Sequence, residues 1–384
     1  MNNKKIIYWS PHLTHIGTIN SILNSIKSLK KFSHNQNVEI LNIFGEWSQF
    51  EEKLKKYNVN LVNFFNPRIN KYLPRNSFLK SRFTYILFFI LSFHKLKNFL
   101  KKNKNEILIV HLLTSLPIII VTIFNLKINL ILRISGKVNN NILRKIIWKL
   151  CSHKIRFITC PSIDTKKDII KMGIFEEKKI LVLYDPIIEP KKIDRLKKEK
   201  LLDTNIVNSK YILSIGRLTK QKNYIRLISF FKNINIKYPE YNLVILGSGE
   251  DYYKLKKHIK YYSLEKKIFL LGFKENIYNY LKHADVFIST SKYEDPGASI
   301  VQSIYCNKYV ISSNCKNGPS EILLNGNGGT LYDDDRISLE NAFEEFQGMS
   351  INKIKKNMIN AKKNIMKYTA FRHYINLTKI FNNL

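Results

Sequence analysis

At 384 residues with 45% hydrophobic side chains, the chain is long enough to bury two cores and too apolar for intrinsic disorder, so two domains are expected. Its 64 Lys and Arg against 29 Asp and Glu give a net charge of +35, which favours anionic partners such as nucleic acid, acidic lipid or a phosphorylated substrate; the other source of such an excess is the Asn-, Ile- and Lys-rich drift of an AT-rich genome, spread over solvated faces. The four cysteines, Cys151, Cys160, Cys306 and Cys315, form no CxxC pair and have no histidine at metal-ligand spacing, which argues against a disulfide framework or a zinc site and for a reducing cytoplasm.

In chain order, the first apolar run, IIYW at 6–9, ends at Ser10 and Pro11. It is too short for a signal-peptide core, so export is not expected. IIYWS reads as a strand, followed by a helix over 19–32, the strand VEILNIF and a helix to Tyr57. From 53 to 105 the chain has 13 Lys and Arg and no Asp or Glu, and the same stretch contains FTYILFFILSF at 83–93, within a helix over 83–100. A hydrophobic helix flanked by cations is how a protein lies on an anionic membrane surface. The competing reading is a buried core helix with basic ends. The longest apolar stretches, 85–93 and 116–126, fall short of the roughly 20 residues of a spanning helix, so no transmembrane segment is expected.

The alternation continues with EILIVH, a helix after Thr114, INLILR, a helix over 143–150, IRFITC, a helix after Ser162, and ILVLY. Residues 186–210 are Pro-flanked and highly charged, which reads as a connection between domains. A second series follows: YILSIG, a helix from Asn223, NLVILG, a helix over 252–262, IFLLG, a short helix to His283, DVFIST, a helix from Ser299, YVISS, and helical pattern from 338 to 384. Strands alternating with helices imply parallel sheets covered on both faces, an α/β fold of two doubly wound domains. Ligands of such sheets sit where the loops after the strands converge, so a cleft between the domains is the expected site.

The loop after YILSI reads GRLTKQK, placing Gly216, Arg217 and Lys222 at the mouth of a helix. Free helix N–H groups, a guanidinium that grips two phosphate oxygens and a lysine point charge make an anion site; the alternative is an exposed basic turn. Gly247 and Gly249, after NLVIL, read either as close backbone approach to a ligand or as a tight turn opening a helix. In SKYEDPGASIVQS, Glu294 lies in the loop and Gln302 one turn into the helix. A carboxylate can accept two hydrogen bonds from sugar hydroxyls. Gly318 and Pro319 precede a further helix.

The ordered run GRLTKQK, LVILGSGED, LLGFKENIYNYLKHADVFIST, YEDPGASIVQS and NGPSEIL resembles family 4 of the retaining glycosyltransferases with the GT-B fold, most densely over 211–332. The N-terminal half, with IIYWSPHLTHIGTINSILNSI, VHLLTSLP and ILRISG, is similar to a branch found among bacterial capsule and O-antigen clusters. The resemblance implies a GT-B protein with an acceptor-side domain over 1–190, a donor domain over 205–365, and a C-terminal helix over 366–384 packing back on the first. It implies that Arg217 and Lys222 bind the donor diphosphate and stabilise the departing nucleotide. Glu294, the first glutamate of a motif of two separated by seven residues, would contact the transferred sugar. Gly17 would let backbone approach the phosphates and His111 would stand near the sugar, although His111 also reads as a structural histidine at a strand end. Gly216 and the loop residues Asp295, Pro296, Gly297, Ala298 and Ser299 complete the expected substrate site. The sequence departs from the family at Gln302, where the second glutamate, associated with the ribose, would stand; Gln keeps an acceptor oxygen and loses the charge. His12 and His15 are candidates to face the acceptor.

No metal-binding Asp-x-Asp stands at a strand end, and Asp333, Asp334 and Asp335 read as a solvated loop. The expectation is therefore a metal-independent transferase with no cofactor. A nucleotide-diphosphate sugar would be the donor and a glycan or lipid-linked oligosaccharide the acceptor, with the protein peripheral on the inner face of the cytoplasmic membrane. A nucleotide-sugar epimerase lacks this motif order. An inactive transferase-like partner subunit is the main alternative, ahead of a nucleic-acid binder, since no zinc spacing, RNP-like run or tandem basic motif is present.

Overall fold

The computed structural model describes residues 4–13, 17–74, 78–135, 142–201, 203, 206–207, 209–333 and 338–384, with backbone alone for 78–82. Its strands are β1 (Ile6–Trp9), β2 (Val38–Asn42), β3 (Asn60–Asn63), β4 (Ile107–Val110), β5 (Asn129–Arg133), β6 (Ile155–Cys160), β7 (Ile180–Val182), β8 (Lys210–Ile215), β9 (Tyr241–Leu246), β10 (Ile268–Leu270), β11 (Val286–Ser289), β12 (Tyr309–Ser313) and β13 (Thr330–Tyr332). The α-helices are α1 (Gly17–Phe32), α2 (Glu51–Lys55), α3 (Phe78–Lys102), α4 (Ser115–Ile123), α5 (Ile142–Cys151), α6 (Ile163–Lys171), α7 (Pro190–Leu196), α8 (Tyr224–Lys237), α9 (Tyr252–Tyr261), α10 (Tyr278–His283), α11 (Ala298–Tyr305), α12 (Pro319–Ile322), α13 (Leu339–Gly348), α14 (Ile351–Ile365) and α15 (Ala370–Asn382).

The chain divides into two compact units, Met1–Pro186 with Ala370–Leu384, and Ile187–Thr369. The first holds a sheet in the order β3-β2-β1-β4-β5-β6-β7 and the second a sheet in the order β10-β9-β8-β11-β12-β13. Every paired strand is parallel. Both are the doubly wound α/β type that the alternation of strands and helices implies.

Their strands are apolar on both faces because both faces are covered. In β1, Ile7 and Trp9 join the core beneath α3, α4 and α5, where Phe88, Leu96, Ile120 and Trp148 pack. Ile6 and Tyr8, one residue out of phase, join the opposite core with Ile19, Ile22 and Ile26 of α1 and Leu377, Ile380 and Phe381 of α15. The second unit is built around Leu243 and Ile245 of β9 against Leu227, Phe230 and Phe231 of α8. Phe343 of α13 stands edge-on to Phe230, Tyr238 and Tyr241.

Three local features differ from the pattern read in the sequence. Residues 60–63 form the edge strand β3, and the three-residue β13 closes the other sheet. The charged stretch after Pro186 is not only a connection: Pro190 occupies the first turn of α7, where its fixed φ suits a helix, and Ile193 is fully buried. Where the chain enters and leaves the second unit, Ile187 and Ile188 both donate backbone N–H bonds to the Tyr368 carbonyl.

In each sheet the strand order reverses between two central strands, β1 and β4 in the first unit, β8 and β11 in the second. Loops leaving neighbouring strands at such a point splay in opposite directions and leave a crevice at the carboxyl ends. Gly17 follows β1 and His111 directly follows β4, while Arg217 and Lys222 follow β8 and Glu294 follows β11. Residues more than seventy positions apart are thereby brought to each of two equivalent places.

Candidate functional site

In the second unit, the site begins with the absence of a side chain. A Cβ on Gly216 would lie 2.9 Å from Lys222 Cε and 3.0 Å from the Tyr224 hydroxyl, so the glycine is what lets Lys222 fold back over the end of β8. The lysine reaches Glu294, its Nζ 2.6 Å from Oε1. Ser291 donates its hydroxyl to the same oxygen at 2.6 Å. Glu294 is only 4% exposed, and a carboxylate so buried is stable as an ion only with such partners. Arg217 is exposed at the rim of the same loop.

The loops around this pair are fastened to one another. Thr290 donates to the Lys222 carbonyl at 2.9 Å, Lys292 N–H to the Gln221 carbonyl at 2.8 Å, and the Gln221 amide to the Tyr293 carbonyl at 3.0 Å. From the next strand, Ser313 donates to the Ser291 carbonyl at 2.6 Å and Glu294 N–H bonds the Lys316 carbonyl at 3.1 Å. Gly318 has φ +145°, and a Cβ there would sit 1.8 Å from the Pro296 carbonyl oxygen, so the loops after β11 and β12 touch backbone to backbone. Gly247 and Gly249 play the same part beneath the first loop. Their Cβ atoms would meet the Gly216 and Leu218 carbonyl oxygens at 1.9 and 2.3 Å, while Leu218 N–H donates to Ser248 O at 3.0 Å. The sequence reads these glycines as close approach to a ligand or as a tight turn; the close approach seen in the structure is to the backbone of the neighbouring loop.

Gly297 takes a left-handed φ of +104° and opens α11, with Pro296 and Ser299 buried, Asp295 half-buried and Ala298 exposed. One turn in, Gln302 is half-buried and donates from Nε2 to the Tyr278 hydroxyl of α10 at 3.1 Å. Burial raises Tyr278 to about 12, so the phenol stays protonated at neutral pH and can itself donate. Glu294, before α11, and Gln302, within it, thus have different partners.

In the first unit, Gly17 begins α1 exposed, and a Cβ there would meet nothing within 4 Å. His111 lies against Tyr8, ring centroids 5.9 Å apart, with its Nδ1 buried and unpartnered. Burial first, then the charge of Arg133, holds its pKa well below the ordinary histidine range, so the ring is neutral. Around it Arg133 pairs with Asp185 at 2.7 Å, and Ser25 bonds His373 Nε2 at 2.8 Å. The Tyr184 carbonyl lies 2.7 Å from His373 Nδ1. A cavity of about 20 Å³ remains among these groups, room for one water.

His12 is packed into the first unit. It is 3% exposed, its Nδ1 lies 3.2 Å from the Ser10 carbonyl, and its ring stands edge-on to Trp47 at 4.9 Å. His15, Asp334 and Asp335 lie outside the described residues. All four cysteines are free thiols, three of them buried. Among the described residues no group of three or more His, Cys, Asp and Glu is placed to hold a metal ion.

Ser291, Thr290, Ser313 and Tyr278 were missed by sequence reasoning. Ser291 carried a weak signal, three residues before Glu294 at a strand end; the others carried none.

Two parallel doubly wound sheets of this kind, with chemistry-bearing residues at both switch points, define the GT-B class of fold. The chain superposes over 99% of its length on 100% of the structure of HepE from Anabaena in complex with UDP and glucose, with a TM-score of 0.71 and 16% identity. Residues 196–364, all within the second unit, match the family model described as "Glycosyl transferases group 1". Over 170 residues the chain is 35% identical to an uncharacterized glycosyltransferase of Methanocaldococcus jannaschii, covering 41% of this chain and 42% of the relative. Over 210 residues it is 29% identical to the N-acetylgalactosamine-N,N'-diacetylbacillosaminyl-diphospho-undecaprenol 4-alpha-N-acetylgalactosaminyltransferase of Campylobacter jejuni, covering 55% and 54%. The chain thus spans about half the length of the curated relatives it matches.

Proposed function

We propose that the protein transfers a sugar from a nucleoside-diphosphate donor to a glycan or lipid-linked oligosaccharide, with retention of configuration, in bacterial surface-polysaccharide assembly. The observation that carries this reading is the Lys222–Glu294–Ser291 cluster at the switch point of the second sheet. It sets a cation suited to a diphosphate beside a carboxylate suited to sugar hydroxyls, with Arg217 at the rim. The relative from Campylobacter jejuni, named for a diphospho-undecaprenol substrate, supports a lipid-linked acceptor.

In this mechanism the bond between the anomeric carbon and the donor's phosphate oxygen breaks, its electron pair leaving with the nucleoside diphosphate. Arg217 and Lys222 stabilise the growing charge, which is the main source of rate acceleration in a reaction of this type. Glu294 gives up its contact with Lys222 as the phosphate takes the lysine, and turns to the sugar hydroxyls. The acceptor oxygen bonds to the anomeric carbon on the face the diphosphate leaves, and its proton passes to the departing phosphate oxygen. Charge stabilisation by the protein's own cations is what makes a metal-independent reaction reasonable. His111, neutral and fixed against Tyr8, is assigned to the sugar's surroundings in the first unit.

Peripheral attachment to the inner face of the cytoplasmic membrane accompanies this reading, because a lipid-linked acceptor lies there. No helix among the described residues is long and apolar enough to cross a membrane. On α3, Phe83, Ile86 and Ile90 are each more than half exposed along one stripe, while Phe88 and Leu96 are buried. The helix thus serves the core and presents apolar surface as well.

The deciding experiment incubates the protein with a panel of nucleoside-diphosphate sugars and measures released nucleoside diphosphate. Release from one donor, lost in Lys222→Ala, supports the reading. Tight nucleotide binding with no release, with any donor or with added lipid-linked acceptor, identifies an inactive partner subunit.

A further inference from the structure

Helix α5 is built the wrong way round for a helix facing water. Its inner side is anchored by Trp148, 2% exposed, and Cys151, 6% exposed, and Trp148 donates its indole N–H to Thr114 at 3.4 Å. The outer side of such a helix is ordinarily polar. Here Ile142, Ile146 and Leu150 follow one another at four-residue spacing, with Leu143 beside them, and they are 73%, 50%, 69% and 72% exposed. At 3.6 residues per turn these four make one continuous outward stripe. Lys145 and Lys149, again four apart, form the adjoining row, and Lys149 is exposed. Arg144 lies over the buried Trp148 ring at 5.8 Å.

The surroundings share this character. α5 packs beside α4, and α4 beside α3. Between Lys53 and Ile163 the sequence has twenty-one Lys and Arg and a single acid, Glu106. Apolar side chains standing out of a surface with a row of ammonium groups beside them match a bilayer that offers acyl chains below and anionic headgroups above. A protein partner would need an apolar groove ringed by acids, and a second copy of this chain would set basic rows against each other.

We propose that α5 inserts Ile142, Leu143, Ile146 and Leu150 into an anionic lipid surface, with Lys145 and Lys149 at the headgroups. It is a membrane contact separate from α3. This rests on the reading of the protein as a peripheral membrane enzyme, which the following experiment tests on its own.

The full chain is floated with vesicles of phosphatidylglycerol mixed with phosphatidylcholine, and with phosphatidylcholine alone. It is compared with Ile142→Gln, Ile146→Gln, Leu150→Gln combined in one variant, whose sites are exposed and whose thermal unfolding should match the parent. The expected result is flotation of the parent with the anionic vesicles and a loss of roughly tenfold or more in apparent affinity for the triple variant. Lys145→Glu with Lys149→Glu should lower binding to the anionic vesicles at low salt. If the parent floats and the triple variant floats equally well, α5 is not the contact, while membrane attachment stands. If the parent floats with neither vesicle, attachment and the role of α5 both fall. If light scattering shows an oligomer that the triple variant dissociates, with no vesicle binding, the stripe is an interface between copies and the lipid assignment is overturned.

Discussion

The two switch points of this protein solve different problems. In the second unit, glycines at 216, 247, 249 and 318 remove side chains so that four loops close on one another, and the space gained holds one cation and one carboxylate in contact. The equivalent place in the first unit is polar in a different way. Arg133 pairs with Asp185 and Ser25 with His373 in the interior, and a Cβ on Gly17 would meet nothing within 4 Å. The second unit holds its charge pair among its loops with Arg217 exposed beside it; the first holds its charge pair in the interior and shows apolar, basic helices to the outside. That division suits a two-domain transferase in which one unit handles an anionic donor and the other an acceptor at a lipid surface.

The sharpest test of the comparison is to remove the cations of the second unit. Lys222→Ala and Arg217→Ala should each cost about 2–4 kcal/mol in transition-state stabilisation, seen as a fall in kcat rather than a rise in KM, because the charge grows as the bond breaks. Lys222→Ala also leaves Glu294 buried without its counter-ion, so its unfolding midpoint should drop while that of Arg217→Ala does not. A kcat unchanged in either variant removes that residue from the diphosphate.

Acid should separate the units. Burial first, with Arg133 adding to it, lowers His373 from 6.5 to about 4. A base with a depressed folded pKa contributes stability that is complete above pH 6.5 and is lost as pH falls toward 4, by up to about 3 kcal/mol. His111 acts in the same direction. Glu46, which burial raises to about 7, opposes both, since its contribution is present below 4.5 and is lost as pH rises. In the second unit Glu340, which Arg226 holds near 2, gives support that is lost only below about 4.5. Chemical unfolding of the parent and of His373→Gln between pH 7 and 4 isolates the histidine. The difference between the two should shrink steadily on acidification, and a constant difference would show that His373 takes up no proton on unfolding.

The glycines allow a finer comparison. Gly216→Ala pushes Lys222 off its line to Glu294 and should reduce kcat about tenfold, about 1.4 kcal/mol. Gly17→Ala meets no atom, so folded stability should hold or rise by about 0.5–1 kcal/mol as a helix gains an alanine. If the backbone there approaches donor phosphates, KM for the donor should rise all the same. Lost stability without a change in KM would make Gly17 a structural residue.

Much of this was legible in the sequence, for identifiable reasons. Fully buried parallel strands are unbroken apolar runs, and ILIV at 107–110 or LVIL at 243–246 stand out against helical periodicity. The edge strand β3 has both end residues exposed, so NLVN carries no such run. The charges of α7 hid the one buried position, Ile193, that makes it part of a packed unit. At the site, residue types were legible and partners were not. Lys222 and Glu294 are 72 positions apart, and Ser25 and His373 are 348 apart; only the folding of both sheets brings them together. The apolar stripe of α5 was hidden for the opposite reason, since in a sequence an outward Ile looks the same as an inward one.

The smallest expected effect concerns Gln302, which lies in α11 of the second unit. Its amide donates to the protonated Tyr278 hydroxyl, which leaves the amide oxygen to accept from a ribose hydroxyl. A carboxylate at this position would accept from Tyr278 and from the ribose together, and charged hydrogen bonds exceed neutral ones by about 1 kcal/mol. Gln302→Glu should therefore bind nucleoside diphosphate roughly fivefold more tightly, less whatever the added charge costs beside the diphosphate. Gln302→Ala should bind more weakly than the parent, because it leaves the ribose hydroxyl unpaired. Tyr278→Phe should fall between Ala and the parent, since it frees the amide to rotate without removing it. Calorimetric titration of the four proteins gives the order directly. Equal affinities would place Gln302 outside the donor site, and binding gained only in Gln302→Glu would identify the natural protein as a partner subunit that has lost its ribose contact.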